Sequence, residues 1–323
     1  MGKSIKYLSG LFFLAIVFAL AILTFNFKNI ILPVNRDQLK IPKIPTKISD
    51  WKTPYRGYAN LKIHIFQTGW DKLDSHLTGR NPIWVPVLCF VIEKDGDLIV
   101  VDTGLNHRIS DIGNKYINFW SRLFVEYKLE KGQDLPSQMR KCGLMPEKVK
   151  TVILTHLHPD HTGETNAFSN ATVVVSKAEK VHAFDEGEMK GWTLSEYNHV
   201  NRWNEIDFSK GSPFATFDRA IDLFGDQSIV LLDVAGHTIG DMAVFVCAPG
   251  GPMLLSDDTV ALMSDLDNMY AMPGQYDRKE YLRHLAMIKG FKVNVPGLRI
   301  FPSHQIMGVK NQKDIISHLK DEN

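Results

Sequence analysis

The sequence predicts an α/β domain tethered behind one N-terminal membrane helix, and three observations predict it. From Tyr7 to Phe27 the chain reads YLSGLFFLAIVFALAILTFNF, 21 residues without a charge. Beyond that run, short aliphatic or β-branched stretches alternate with helical ones, the pattern of strands in layered α/β architecture. Several of the best strands end in histidine or aspartate, so one edge of the sheets should collect those groups. The composition agrees: 323 residues with 44% hydrophobic content can bury a sizeable core, which excludes disorder. With 37 Lys+Arg against 36 Asp+Glu there is no global basic field, so no nucleic-acid partner is expected.

As a helix, the uncharged run is long enough to cross roughly 30 Å of hydrocarbon. The following FNFKNIILPV offers no small-x-small cleavage site, so an uncleaved single-pass anchor is expected rather than a signal peptide. Lys3 and Lys6 precede the span, while Lys28, Arg36 and Lys40 follow it. The reading adopted is a short inside tail over 1–6, an anchor over 7–27, an extended linker over 28–50 and an extracytoplasmic catalytic domain over 51–323. Prolines spaced along the linker disfavour helix there. Lys6 stands where N-myristoylation needs Ser or Thr, so lipidation is not expected.

In the domain, LKIHIFQTG and PVLCFVIEKDGDLIVVDTG read as strands, the second folded into a hairpin at Glu93-Lys94-Asp95-Gly96-Asp97. DLPSQMRKCG reads as a helix stopped by Gly143. VKTVILT, ATVVVS, SIVLLDV, MAVFVCA and PMLLSD read as further strands, with helices near Lys177 to Ala183, Arg278 to Ile288 and Gln312 to Leu319. His182 to Asp226, rich in Trp, Asn and Glu, shows no clear period and is predicted to be an insertion or lid. Cys89, Cys142 and Cys247 fit no ligand pair or disulfide framework and read as buried small apolar residues.

The chemistry concentrates in Thr155 to Gly163, THLHPDHTG, directly after the apolar TVIL. From 12 His and 24 Asp, an H-x-H-x-D-H pattern arises by chance in roughly one such chain in a thousand. His156 and His158, two apart on an extended strand end, point the same way and can share one cation through neutral imidazole. The turn at Pro159 redirects Asp160 and His161 towards a neighbouring position, so a pair of cations is the natural reading. His237 in AGHTIGD, Asp257 in LLSDD and His304 in FPSHQ supply candidate ligands at other strand or loop ends. Singly, each of these is as readily a hydrogen-bonded surface or core group; together they complete a set.

This constellation resembles the metallo-β-lactamase superfamily: T-H-L-H-P-D-H-T-G, then G-H-T, an Asp after an apolar strand, a late S-H, and an early VDTG at Val101 to Gly104. The resemblance covers roughly Leu61 to Val309 and implies an αββα sandwich with metals at one edge. It implies that His156, His158 and His237 hold one metal and that Asp160, His161 and His304 hold the other. Asp257 would bridge them and Asp102 would support the histidines from behind. Asp257 is preferred to Asp258 because Ser256-Asp257 matches the family's Gly-Asp pair, and one step along a strand turns a side chain to the other face. The implied cofactors are two divalent ions, zinc before iron or manganese. Sharing one water, they would supply hydroxide at ordinary pH, with Asp160 orienting the nucleophile.

Within the superfamily the layout is most similar to the quorum-quenching N-acyl-homoserine lactonases, which implies a small lactone or ester substrate. Phosphodiesterase and thioesterase activities are the alternatives; the rivals from other classes are an oxygen-reducing di-iron protein, disfavoured because that branch usually places Glu where His158 stands and adds a flavin-binding domain, and a catalytically silent tethered binding module. Those lactonases often carry a Tyr three residues after the bridging Asp; counted from Asp257, that position is Val260 here, and Tyr270 is the substitute expected from the next loop. Trp70, Trp84 and Trp192 read first as packing residues and second as pocket walls. The oligomeric state is not written in the sequence.

Overall fold

The computed structural model describes residues 42–43, 58–73, 83–119, 121–123 and 125–306. The expected anchor, nearly all of the linker and the expected helix Gln312 to Leu319 lie outside these residues. Among the described residues no helix is long and apolar enough to cross a membrane.

Two sheets form. The first contains β1 (Leu61–Leu73), β2 (Ile83–Lys94), β3 (Asp97–Val101), β4 (Tyr127–Lys128), β5 (Val149–Ile153), β6 (Thr172–Ser176) and β7 (Trp203–Ile206), in the order β4-β1-β2-β3-β5-β6-β7. The second contains β8 (Ser212–Phe214), β9 (Phe217–Asp222), β10 (Ile229–Asp233), β11 (Met242–Ala248), β12 (Gly251–Leu255) and β13 (Arg299–Phe301), in the order β13-β12-β11-β10-β9-β8. The helices are α1 (Ile109–Ile112), α2 (Leu135–Lys141), α3 (Pro159–Thr162), α4 (Lys177–Glu186), α5 (Met263–Asn268) and α6 (Arg278–Asn294).

The strands read as continuous apolar runs because both of their faces are buried. Along β2, Leu88, Phe90 and Ile92 enter the core shared with the second sheet, while Cys89 and Val91 enter a separate core with Leu135 and Met139 of α2. In the second sheet, Leu231 of β10 and Val244 of β11 face that shared core; Leu232 and Phe245 face Tyr281, Leu285, Ile288 and Phe291 of α6. Period-two alternation thus sorts each strand between an inner layer and a helical outer one. The result is the expected αββα sandwich.

Pairing directions explain why functional groups gather at one edge. β3 and β5 are parallel, and so are β12 and β13. β10 runs with β12, because each is antiparallel to β11 between them. The Met242 amide at the start of β11 donates to the Thr155 carbonyl just past β5, at 3.1 Å, joining the corresponding edges of the two sheets. The chain segments after β3, β5, β10, β12 and β13 therefore surround one opening.

Three expectations need correction. His182 to Asp226 is not one insertion: it holds the end of α4, short turns, and the strands β7, β8 and β9. Its strands hide their period because they carry exposed polar positions, such as Asn204 and Glu205 in β7. Cys142 is exposed at the end of α2, whereas Cys89 and Cys247 are buried; all three are free thiols. Helices α4 and α6 run past the expected Ala183 and Ile288 to Glu186 and Asn294.

Leu231, with no exposed surface, sits mid-strand in the core between the sheets. Leu231→Ala should lower the unfolding free energy by about 2–5 kcal/mol, read from urea denaturation of the folded domain. A loss below about 1 kcal/mol would mean that this core does not hold the sheets together.

Candidate metal centre

After β5 the chain stays extended through His158 (φ −72°, ψ 156°), as the residue before a proline must, and Pro159 opens α3. His156 and His158 therefore share a side, with His156 Nε2 2.9 Å from His158 Nδ1. That same Nδ1 lies 3.1 Å from His237 Nε2, brought from the loop after β10. One turn into α3, Asp160 and His161 meet His304 from the loop after β13: Asp160 Oδ2 lies 3.5 Å from His161 Nε2 and 3.6 Å from His304 Nε2. Each trio's ligand atoms lie within 4.8 Å of one another. The sequence-derived grouping of these six side chains is what the geometry presents.

The carboxylate between the trios is Asp258 rather than the expected Asp257. Its Oδ2 lies 3.2 Å from His237 Nε2, and its Oδ1 lies 3.3 Å from His304 Nε2 and 3.7 Å from His161 Nε2. The strand-face argument fails here because β12 ends at Leu255, and Asp257, at φ +50°, begins a short helical turn. Asp257 instead stands behind the first trio, with Oδ2 3.1 Å from His156 Nδ1 and Oδ1 accepting from the Thr155 hydroxyl at 2.8 Å. Counted from Asp258, the position three residues on is Ala261, which has no hydroxyl either.

The rear nitrogens of four rings are tethered, which fixes where their front nitrogens aim. His156 has Asp257, and His161 Nδ1 has Asp102 Oδ2 at 3.0 Å. His237 Nδ1 has Gln275 Oε1 at 3.0 Å, and His304 Nδ1 donates to the Pro86 carbonyl at 3.0 Å. Asp102 therefore occupies the supporting place expected of it, and it also accepts from the Thr155 amide and hydroxyl. Asp160 Oδ1 accepts from the Tyr127 hydroxyl at 3.1 Å, which turns Oδ2 towards the histidines.

Backbone chemistry lets these segments converge. A Cβ on Gly163 would lie 2.2 Å from the Asn106 amide, and one on Gly236 2.4 Å from the Tyr281 amide. Only glycine permits α3 to abut the loop after β3, and the His237 loop to abut α6. Glu179, buried on α4, accepts from the Leu157 amide and the Gly240 amide, each at 3.1 Å, so one carboxylate holds a loop from each sheet.

The electrostatics favour positive charge. Burial opposes ionised Asp258, yet His304, His237 and His161 hold its carboxyl well below the usual range. Burial likewise opposes charged His161, but Asp160, Asp102 and Asp257 hold its pKa well above that of a free imidazole. His304 is raised to about 9 by Asp258 and Asp160 against burial. His158 goes the other way, lowered first by burial and then by the adjoining His156 and His237 rings. Buried His161 Nε2 has no hydrogen-bond partner, and three imidazole nitrogens converge at His158 Nδ1. This donor set, imidazole nitrogens with carboxylate oxygens around two neighbouring points, fits two divalent cations such as zinc.

Other expected residues fall into place. Trp192 is buried and stacks on His158 at 5.2 Å, so it packs and walls the site at once; His182 meets Trp192 and Tyr276 edge-on at 6.0 and 5.3 Å. Trp84 instead carries the Lys128 ammonium 3.7 Å from its ring centroid. Tyr270 is half-buried in the helix layer outside the second sheet, where its amide donates to the Asp265 carbonyl at 2.8 Å. Glu179, Gln275 and Tyr127 escape sequence reasoning, since each reaches the site through a contact distant in the chain and lies in no motif.

Comparison with known proteins agrees with the geometry. The metallo-β-lactamase superfamily profile matches residues 82–304. The N-acyl homoserine lactonase AttM of Rhizobium radiobacter is 26% identical over 224 residues, covering 67% of this chain and 82% of AttM. An N-acyl homoserine lactonase from a Bacillus species is 27% identical over 230 residues, covering 68% of this chain and 81% of its own. Among solved structures, an N-acyl homoserine lactone hydrolase with N-hexanoyl-L-homoserine bound at its catalytic metal centre superposes with a TM-score of 0.65 at 21% identity, covering 76% of this chain and 93% of that one. The dizinc quorum-quenching lactonase AidC superposes with a TM-score of 0.57 at 14% identity, covering 82% and 93%. With the fold, the paired trios of ligand atoms and a match spanning most of the described residues, the chain belongs to the metallo-β-lactamase superfamily and is a metal-dependent hydrolase.

Proposed function

We propose that this protein is a dinuclear lactonase that opens N-acyl homoserine lactones or closely related lactones and esters. In this reading His156, His158 and His237 hold one divalent cation, Asp160, His161 and His304 hold the other, and Asp258 lies between them. The observation that carries it is the position of Asp258, whose two oxygens face opposite trios. The lactonases among its relatives supply the substrate class. When bound, two divalent cations supply Lewis acidity and lower the pKa of water.

The chain's own residues do the rest. Asp102, Asp257, Gln275 and the Pro86 carbonyl lock four imidazoles in one orientation, so little reorganisation is needed at the moment of reaction. Tyr127 fixes Asp160 with one oxygen turned inward, where it can orient the attacking water or hold its proton. Trp192 covers the His158 ring and keeps solvent from that side. The uncharged run over 7–27 is proposed to tether this domain on the extracytoplasmic face.

Ligand roles are checked by metal content. Wild type should carry about two cations per chain by atomic emission; Asp258→Ala should carry about one or fewer, and Asp257→Asn should stay near two. The opposite order would return the bridging role to Asp257.

Substrate class is checked with metal-replete protein assayed against an acyl-homoserine lactone, an acyl thioester and a phosphodiester. Lactone opening that chelator abolishes and zinc restores is the expected result; turnover of the phosphodiester or thioester alone would reassign the enzyme. Fractionation of cells checks the tether. Full-length chain should remain with membranes through a carbonate wash, and chain lacking 1–41 should not; equal release of both would remove the anchor.

A further inference from the structure

Beside the second trio lies a carboxyl group that the proposed chemistry does not use. Asp71 of β1 is 7% exposed, and its Oδ1 is buried without a hydrogen-bond partner. An orphaned acceptor in a desolvated place costs stability, so a group that satisfies it is expected. Asp71 pairs across the sheet with Tyr127, whose hydroxyl reaches Asp160, which places it beside the second trio, yet it is not in either trio.

The backbone aims it there. β1 shifts register against β2 between Gln67 and Trp70, a bulge that re-aims the residues after it. At its turn stands Gly69, at φ +111°, where a Cβ would lie 2.5 Å from the Lys128 carbonyl. Past the bulge Asp71 pairs with Tyr127 of β4, whose hydroxyl is already given to Asp160. Asp71 and Tyr127 thus form one polar corner, with the Tyr127 hydroxyl committed to a proposed metal ligand and Asp71 Oδ1 left available.

We propose that Asp71 is a specificity-determining residue: its unpartnered oxygen accepts a hydrogen bond from an N–H donor that the substrate carries beside its scissile carbonyl. An acyl-homoserine lactone carries such a donor, its amide N–H, on the carbon next to the ring carbonyl. The inference rests on the lactonase reading and adds the group by which the substrate is chosen. Recognition by one buried acceptor gives selectivity because a substrate lacking the donor leaves that acceptor desolvated and unpaired.

The test uses the metal-replete full chain with two isosteric substrates: N-hexanoyl homoserine lactone, and the ester analogue in which oxygen replaces the amide nitrogen. Wild type should prefer the amide by about tenfold in kcat/KM, mainly through KM, the size of one such hydrogen bond. Asp71→Leu, which fills the space without an acceptor, should bring the preference near one, and Asp71→Asn, which keeps an acceptor oxygen, should restore most of it. Metal content near two per chain in each variant separates recognition from damage to the centre. A wild type without the preference overturns the proposal with no variant needed, and so does a preference that survives in Asp71→Leu. A wild type that opens neither lactone overturns the lactonase reading itself, and with it this substrate assignment.

Discussion

Five imidazoles and the carboxylates of Asp102, Asp160, Asp257 and Asp258 share one buried edge, and the arrangement of the sandwich follows from that crowding. Like groups at 3 to 4 Å repel when charged and leave donors and acceptors unmatched when neutral. The conflict is limited by tying the rear nitrogens of four rings to acceptors and by setting the Asp258 carboxylate between the two trios. Strand direction supplies the rest: β3, β5, β10, β12 and β13 all deliver their ends to the same opening. Rigid layers behind the edge hold these groups close, because both faces of the central strands are packed.

Much of this was legible in the sequence, and the limit has a physical form. His156, His158, Asp160 and His161 are local, and a strand end followed by proline leaves few ways to place them. His237 and His304 were found because they sit in short motifs at strand ends. Asp258 escapes strand alternation because β12 ends at Leu255 and Asp257, two residues on, takes a positive φ. Asp257 and Asp102, at φ +50° and +58°, are the two site aspartates in this left-handed region, and both support histidines from behind. Glu179 and Gln275 meet their partners only in the folded chain, so no spacing rule could show them. The misread span from His182 to Asp226 failed for a simpler reason: strands with exposed polar positions do not display the period of a buried one.

The centre also departs from its resemblance in an informative way. Counted from Asp258, the position at which the resembling lactonases often carry a tyrosine falls on Ala261, buried and without a hydroxyl, while Tyr127 from β4 gives its hydroxyl to Asp160.

Glu179 carries a consequence for how the protein matures. Its two oxygens pin a loop from each sheet, and the histidines that each loop supplies complete a single trio. A ribosome that has released only the N-terminal half has made three of the five rings but no complete first trio. The first trio is complete only when the loop after β10 delivers His237, and the second only when the loop after β13 delivers His304, so a centre holding both cations would report assembly of the whole sandwich.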